Sequence, residues 1–186
     1  MMEFQPFPKI ARLSRNIIIT EKLDGTNAQV CITEDGKVFT GSRKRWITPE
    51  DDNLGFATWV QENLDEIITL GPGRHFGEWW GHGIQRGYGL AERRFSLFNV
   101  NRWCLSGFEP KEGQRTLPSC CDLVPVLYMG SFNTLNISRC IDYLHEHGSV
   151  AAPGFMKPEG IMVYHTAANI VFKKTLENDD KPKGMK

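Results

Sequence analysis

The order of strand-like and helix-like segments predicts an α+β fold with largely antiparallel sheets. Three observations lead there. Strand patterns outnumber helix patterns, two pairs of strands are joined as hairpins, and only two stretches carry apolar residues at helical spacing.

Taken in chain order, Arg15 to Thr20 rises into the β-branched run Ile17-Ile18-Ile19, a buried strand that ends at Glu21-Lys22-Leu23-Asp24-Gly25. Asn27 to Thr33 alternates, with Ala28, Val30 and Ile32 on one face. Asp35-Gly36 supplies a hairpin turn, and Lys37 to Ser42 returns as the partner strand. Thr48-Pro49-Glu50-Asp51 has the cap, first-turn proline and acids of a helix start. Phe56, Trp59, Val60, Leu64, Ile67 and Ile68 then recur at helical spacing until Gly71-Pro72-Gly73. Arg74 to Trp80 is a strand. Gly81 to Gly89 is a loop with four glycines that do not fit the G-x-G-x-x-G dinucleotide pattern. Phe95 to Trp103 and Leu123 to Met129 are further strands. Ile137, Cys140, Ile141 and Leu144 mark a second helix closed by Gly148, and Gly160–Thr166 with Asn169–Thr175 form a last hairpin. Residues 1–175 make one domain, and 176–186 a polar, frayed tail.

Composition excludes several classes. With 186 residues, 40% hydrophobic and 24% charged, the chain is neither disordered nor low-complexity. No apolar run approaches the roughly 18 residues that cross a bilayer, and the N-terminus lacks a secretory layout, so the expectation is a cytoplasmic protein with no membrane partner. Lys+Arg 22 against Asp+Glu 22 leaves no net field, so any polyanion site must be a local patch. The five cysteines are expected as reduced thiols, the adjacent Cys120-Cys121 included. His145-Glu146-His147 falls at a helix C-terminus, where histidine favours the negative dipole end rather than a metal. Asn136-Ile137-Ser138 matches a glycosylation acceptor, which the absence of a secretory signal sets aside.

Chemistry concentrates first at Glu21-Lys22-Leu23-Asp24-Gly25-Thr26-Asn27, between a buried strand and a hairpin. A lysine at the mouth of a strand can serve as a covalent nucleophile where desolvation or nearby cations lower its pKa. Gly25 allows a tight turn close to a ligand. Taken alone, K-x-D-G also describes an ordinary exposed turn.

The rest of the chain adds Ser42-Arg43, Phe76-Gly77-Glu78, Phe95-Ser96-Leu97-Phe98, Glu159-Gly160-Ile161-Met162-Val163 and Phe172-Lys173, in that order. Together these resemble the ordered motifs of covalent nucleotidyltransferases, the superfamily of ATP-dependent RNA and DNA ligases and mRNA capping enzymes. The resemblance spans Lys22 to Thr175. DNA ligases and capping enzymes usually carry arginine five residues after the nucleophilic lysine. Here Asn27 stands there, and the motif is similar to the RNA ligase 2 type.

The resemblance implies a ligase-type adenylation domain, with two largely antiparallel sheets flanked by helices and ATP between them. Such ligases usually carry a further C-terminal module, and the few residues after the last motif lead to the expectation of none here. It implies that Lys22 takes AMP from ATP, with Lys173 as a neighbouring cation that lowers the lysine's pKa. Glu21, Asn27, Arg43, Glu78, Phe98 and Lys173 would join Lys22 in holding the nucleotide. Glu78 would accept from ribose hydroxyls, Phe98 would stack on adenine, and Arg43 would contact phosphate. Glu159 would hold Mg²⁺ or Mn²⁺. The implied partners are RNA ends, including nicked or hybrid duplexes, with an accessory protein to supply grip. The AMP would pass to a 5′-phosphate and be displaced by a 3′-hydroxyl.

Alternatives stand beside these roles. Phe98 also fits a core position, Glu78 an edge carboxylate, and Arg43 a solvated basic run in which Arg45 could substitute. Trp79-Trp80 could form an RNA platform but suit packing better, and Trp46, Trp59 and Trp103 suit the core. The motifs also fit GTP, DNA nick sealing, guanylyl transfer to RNA, a self-adenylylating domain that seals poorly alone, or a non-catalytic nucleotide-binding protein. Many relatives end with K-x-K. This chain has Lys173-Lys174-Thr175, and strand alternation puts Lys173 and Thr175 on the cleft face with Lys174 opposite.

Overall fold

A computed structural model describes residues 2–104, 109 and 111–179. In chain order the elements are β1 (Asn16–Lys22), β2 (Thr26–Ile32), β3 (Val38–Ser42), β4 (Trp46–Ile47), α1 (Phe56–Glu62) and α2 (Leu64–Ile67), with a 3-10 turn at Ile68–Leu70. Then come β5 (Gly73–Gly81), β6 (Arg93–Leu97), β7 (Trp103–Cys104), β8 (Arg115–Thr116), β9 (Cys121–Leu123) and β10 (Val126–Ser131). The chain continues through α3 (Thr134–His147), β11 (Gly160–His165) and β12 (Ile170–Thr175). Two larger sheets carry most of these strands, one of order β10-β1-β11-β12 and one of order β4-β3-β2-β5-β6-β9. Every neighbour pair is antiparallel except β6 with β9. The expected α+β class is what folds, and β7 with β8 adds a small parallel pair.

Strand alternation divides each sheet into a helix-covered face and a face bare of helices, on which Ile18 and Thr20 of β1 are nonetheless buried. On β1, Ile17 and Ile19 pack with Ile161, Val163, Cys140 and Leu144 under α3. Each fully buried isoleucine contributes about 1.5–3 kcal/mol relative to exposure. The opposite face of the same sheet carries Thr20 and Lys22 in register with Met162, Lys173 and Thr175. On β2, Ala28, Val30 and Ile32 pack with Phe56, Val60, Trp79 and Phe95. Asn27 and Gln29 lie on the bare face with Glu78 and Phe76. The chain passes directly from β1 to β2 through Leu23–Gly25, so the two bare faces share one turn.

Several elements differ from expectation. The first helix starts at Phe56, because Thr48–Asp51 closes a turn of its own and Asp51 is gripped by Arg45. The Asp52 carboxylate then accepts from the backbone N–H of Ala57 and of Thr58 at 2.8 and 2.9 Å, the capping role expected of Thr48. The strand expected over Phe95–Trp103 stops at Leu97, where Asn99 accepts from Arg102 N and turns the chain. The segment Leu123–Met129 is two strands in different sheets. Pro125 lies between them, without an N–H for a ladder, and its carbonyl accepts from Glu21 N as the chain crosses over. Leu176 to Asp179, expected as a frayed tail, are held. Leu176 N donates to Glu159 O, and Asp179 accepts from Thr175 N. Residues 180–186 lie outside the described residues. Trp79, Trp80 and Trp103 are buried, but Trp46 is 49% exposed, which overturns its assignment to the core.

Candidate active site

Lys22 ends β1 at the turn shared by the two sheets. Its ammonium donates to Glu159 Oε2 at 2.5 Å, closing a contact over 137 residues. The pairing of Lys22 with Gly160 across β1 and β11 sets this distance, because Glu159 immediately precedes Gly160. Gly160 has φ of 151°, and a Cβ there would collide with Lys174 O. Only glycine fits where three strands converge beside the lysine.

Glu78 faces the same turn from β5. Its Oε1 accepts from Gly25 N at 3.2 Å, and its Oε2 accepts from Asn27 Nδ2 at 2.9 Å. Gly25 is required here by space, since a Cβ would run into Trp79 O and Trp80. Burial raises the Glu78 carboxyl from 4.5 to about 7, against the opposing pull of the Lys22 charge and these hydrogen bonds, while Glu159 pushes it up further. The site therefore carries one carboxylate paired with lysine and one that changes charge near neutrality. Perturbed groups of this kind cluster at functional sites.

Lys173 lies opposite Met162, which lies opposite Thr20, so Lys173 shares the Lys22 face two strands away, roughly 10 Å at the usual strand spacing. Lys174 turns to the other face and donates to Asp179 at 3.2 Å. Phe98 follows β6 and is 41% exposed rather than core; its N–H donates to Phe76 O, which places it beside the Glu78 face. Arg43 and Arg45 lie in the turn between β3 and β4, not on a strand. Arg45 forms a two-pronged pair with Asp51, whereas Arg43, like Lys44 beside it, has no ion pair among the described residues.

Glu21 is the correction. Alternation turns its side chain away from Lys22 into the α3 side, where it is 1% exposed. Its carboxylate accepts from Ser149 Oγ, Val150 N and Ala151 N at 2.6 to 3.0 Å, leaving it no reach into the cleft. Burial raises its pKa, and those three donors oppose the rise. It ties the loop after α3 to β1 instead of touching a nucleotide.

Two contributors escape motif reading. Arg86 donates to Asp24 Oδ2 at 3.0 Å and to Lys157 O at 2.9 Å, bridging the turn after Lys22 to the chain just before Glu159. Tyr88 accepts from Asp24 N at 2.8 Å while its ring packs edge-on against Trp80. Both come from the glycine-rich loop, whose Gly81, Gly83, Gly87 and Gly89 all have positive φ. The folded loop braces the lysine turn. Only the proximity of arginine to a glycine-rich turn hinted at this in the sequence.

Among the described residues no cluster of three or more His, Cys, Asp and Glu could enclose a metal ion. Mg²⁺ is commonly held by one or two carboxylates with water and substrate phosphates, and Glu159 at the cleft suits that mode. His145 and His147 lie in the last turn of α3, as their dipole preference predicts.

Comparison with known proteins bears on this geometry. A family model described as RNA ligase matches residues 15–176. No curated protein matches the chain. Among solved structures, Naegleria gruberi RNA ligase aligns in an apo variant with TM-score 0.59 and 18% identity, covering 87% of this chain and 50% of that one. A variant of the same ligase with ATP and Mn aligns with TM-score 0.60 and 17% identity, covering 89% and 51%. The same ligase with PPi aligns with TM-score 0.58 and 18% identity, covering 87% and 50%. At such identities the likeness shows a shared fold, and the chain spans about half the length of these ligases.

Proposed function

The chain belongs to the RNA ligase family, and on that basis we propose that it is an ATP-dependent adenylyltransferase of the RNA ligase 2 type that acts on RNA ends. The observation that carries this reading is the meeting of Lys22 with Glu159 and Glu78 at one turn between two bare sheet faces.

Lys22 Nζ attacks the α-phosphorus of ATP as a free amine. A P–N bond forms, the P–O bond to the β-phosphate breaks, and pyrophosphate leaves. Nζ must lose a proton first, which passes to solvent once its contact with Glu159 Oε2 has opened, with Lys173 as a neighbouring cation favouring the neutral amine. Glu78 in its ionised form accepts from the ribose hydroxyls, and Asn27 and Gly25 N aim it. Phe98 offers a flat ring to adenine, and Lys173 and Arg43 meet phosphate charge. Glu159, freed from the lysine, would hold a divalent cation together with water and phosphate oxygens, and that ion would neutralise charge at the transferring phosphate. The AMP then passes to a 5′-phosphate of RNA, and a 3′-hydroxyl displaces it to join the strands. The ATP, AMP and Mn present in the neighbouring ligase structures support the choice of nucleotide and of a divalent ion.

A second reading, a domain that self-adenylylates or modifies ends and needs an accessory protein to seal, is favoured by the balance of Lys+Arg 22 against Asp+Glu 22, which gives these residues no bulk field for RNA. Nick sealing separates the two. A nick whose 3′-hydroxyl strand ends in RNA should be sealed faster than an all-DNA nick. Equal or better sealing of all-DNA nicks would contradict the RNA assignment. Lysyl-AMP formation without sealing of either would favour the second reading.

A further inference from the structure

The bare face of the six-stranded sheet does not end at Glu78. Successive register partners run from Trp46 on β4 to Gly41 on β3, Gln29 on β2 and Phe76 on β5, and Phe98 N donates to Phe76 O beyond it. In the adjacent row Phe39 and Arg74 flank Cys31. Phe39, Trp46 and Phe76 are 46%, 49% and 51% exposed, so three large rings stand open to solvent on one face. Contiguous apolar exposure of this kind marks an interaction site.

The chemistry around the rings narrows the partner. The Arg74 guanidinium lies 5.4 Å from the Trp46 ring and donates to Gln29 Oε1 at 3.2 Å. Neither Arg74 nor the neighbouring Arg43 and Lys44 forms an ion pair among the described residues, while Asp51 at this edge is neutralised by Arg45. A chain with no net charge therefore gathers unpaired cations beside its exposed rings, which is the local patch that a polyanion needs. Gln29 fits flat over Gly41, where any Cβ would collide with it, so the face stays level between Trp46 and Phe76. From β6 to β4 is four strand steps, roughly 19 Å, and sheets of comparable build stack two or three bases.

We propose that this face binds unpaired bases of the RNA substrate, with Phe39 and Trp46 as stacking rings and Arg74 as a phosphate contact, leading the strand through Phe76 towards the adenylylation site. The proposal rests on the RNA-end reading above and locates where that RNA lies. Flat rings stack any base, and arginine adds a salt-sensitive contact.

The test is fluorescence anisotropy of a short labelled oligoadenylate RNA with the intact chain, beside lysyl-AMP formation as a check on the fold. The double variant Phe39→Ala with Trp46→Ala should weaken binding about tenfold or more. Trp46→Phe should retain most of the affinity, Arg74→Gln should flatten the salt dependence, and Tyr143→Ala on α3, equally exposed, should change nothing. RNA affinity indifferent to loss of both rings, as a protein-docking face would give, overturns the proposal. So does equal binding of blunt duplex RNA. Loss of lysyl-AMP formation by the unaltered chain, with ring-dependent RNA binding retained, would instead sink the enzyme reading and leave this one standing.

Discussion

Lys22 Nζ lies 2.5 Å from Glu159 Oε2, joining the end of β1 to the start of β11. A lysine held as an ammonium by a carboxylate is not yet a nucleophile, so the pair must open before adenylylation. The same carboxylate faces the phosphate once it has opened. Glu159→Gln should therefore slow single-turnover adenylylation by about 10² or more, with a smaller effect on ATP affinity, because the loss falls on the transition state. An unchanged rate would reduce Glu159 to a structural partner of Lys22.

The strand register separates Lys173 from Lys174. Lys173 shares the Lys22 face through Met162 and Thr20, whereas Lys174 points to the α3 side and engages Asp179. Lys173→Ala should abolish adenylylation, and Lys174→Ala should change it by less than about tenfold, or 1.4 kcal/mol of barrier. Thr175, in the row of Lys22 and Gly160, replaces the second lysine of many relatives, so the ATP concentration required should be comparatively high. Equal damage from both lysine variants would contradict this register.

Glu78 makes stability and nucleotide binding pull in opposite directions with pH. Its pKa is raised on folding, so the favourable state is the protonated one, and stability falls as pH rises from 4.5 through about 7. Glu78→Gln keeps the shape, and Asn27 can flip its amide to match. The variant should be more stable than the parent at pH 8, by up to about 3 kcal/mol, with no difference near pH 4. In the parent, the ATP requirement should rise as pH falls below about 7, since a protonated Glu78 loses acceptor capacity; Glu78→Gln should lose that limb. Urea unfolding at the two pH values checks the first effect, and ATP titration across pH the second.

Arg86 links Asp24 to Lys157 O and so ties the lysine turn to the approach to Glu159. Arg86→Ala should cost about 1–3 kcal/mol, leaving a half-buried carboxylate and a carbonyl without that donor. It should also lower the adenylylation rate more than it weakens ATP affinity, because it acts on geometry. Arg86→Lys should rescue little, since a single ammonium cannot span both acceptors. A stable variant with normal rate would assign the loop no part in the site.

Period-two alternation fixes faces, so Lys173 and Thr175 fall on the face of Lys22 with Lys174 opposite, whereas Lys22 and Glu78 were marked by the resemblance to ligase motifs. The same alternation turns Glu21 away from Lys22, a signal present in the sequence that the motif reading passed over. What was illegible depends on long-range partners. Thr48 resembles a cap, but Arg45 draws Asp51 into a different turn and Asp52 caps instead. Pro125 marks a break, yet only the assembled sheets show that the chain changes sheet there. Trp46 resembles a core residue until β4 emerges as the sheet edge with its ring on the bare face. Arg86 sits 62 residues from its acid partner, beyond any local pattern.

The proposed chemistry turns on Lys22 carrying the nucleotide. Intact-mass measurement after incubation with ATP and Mg²⁺ tests it most directly, followed by peptide mapping of the modified residue. A gain of one AMP located on Lys22 is expected, lost in a folded Lys22→Ala variant and replaced by no other site. A Lys22→Ala protein that still gains AMP, or an unaltered chain that gains it on another residue, would contradict the account.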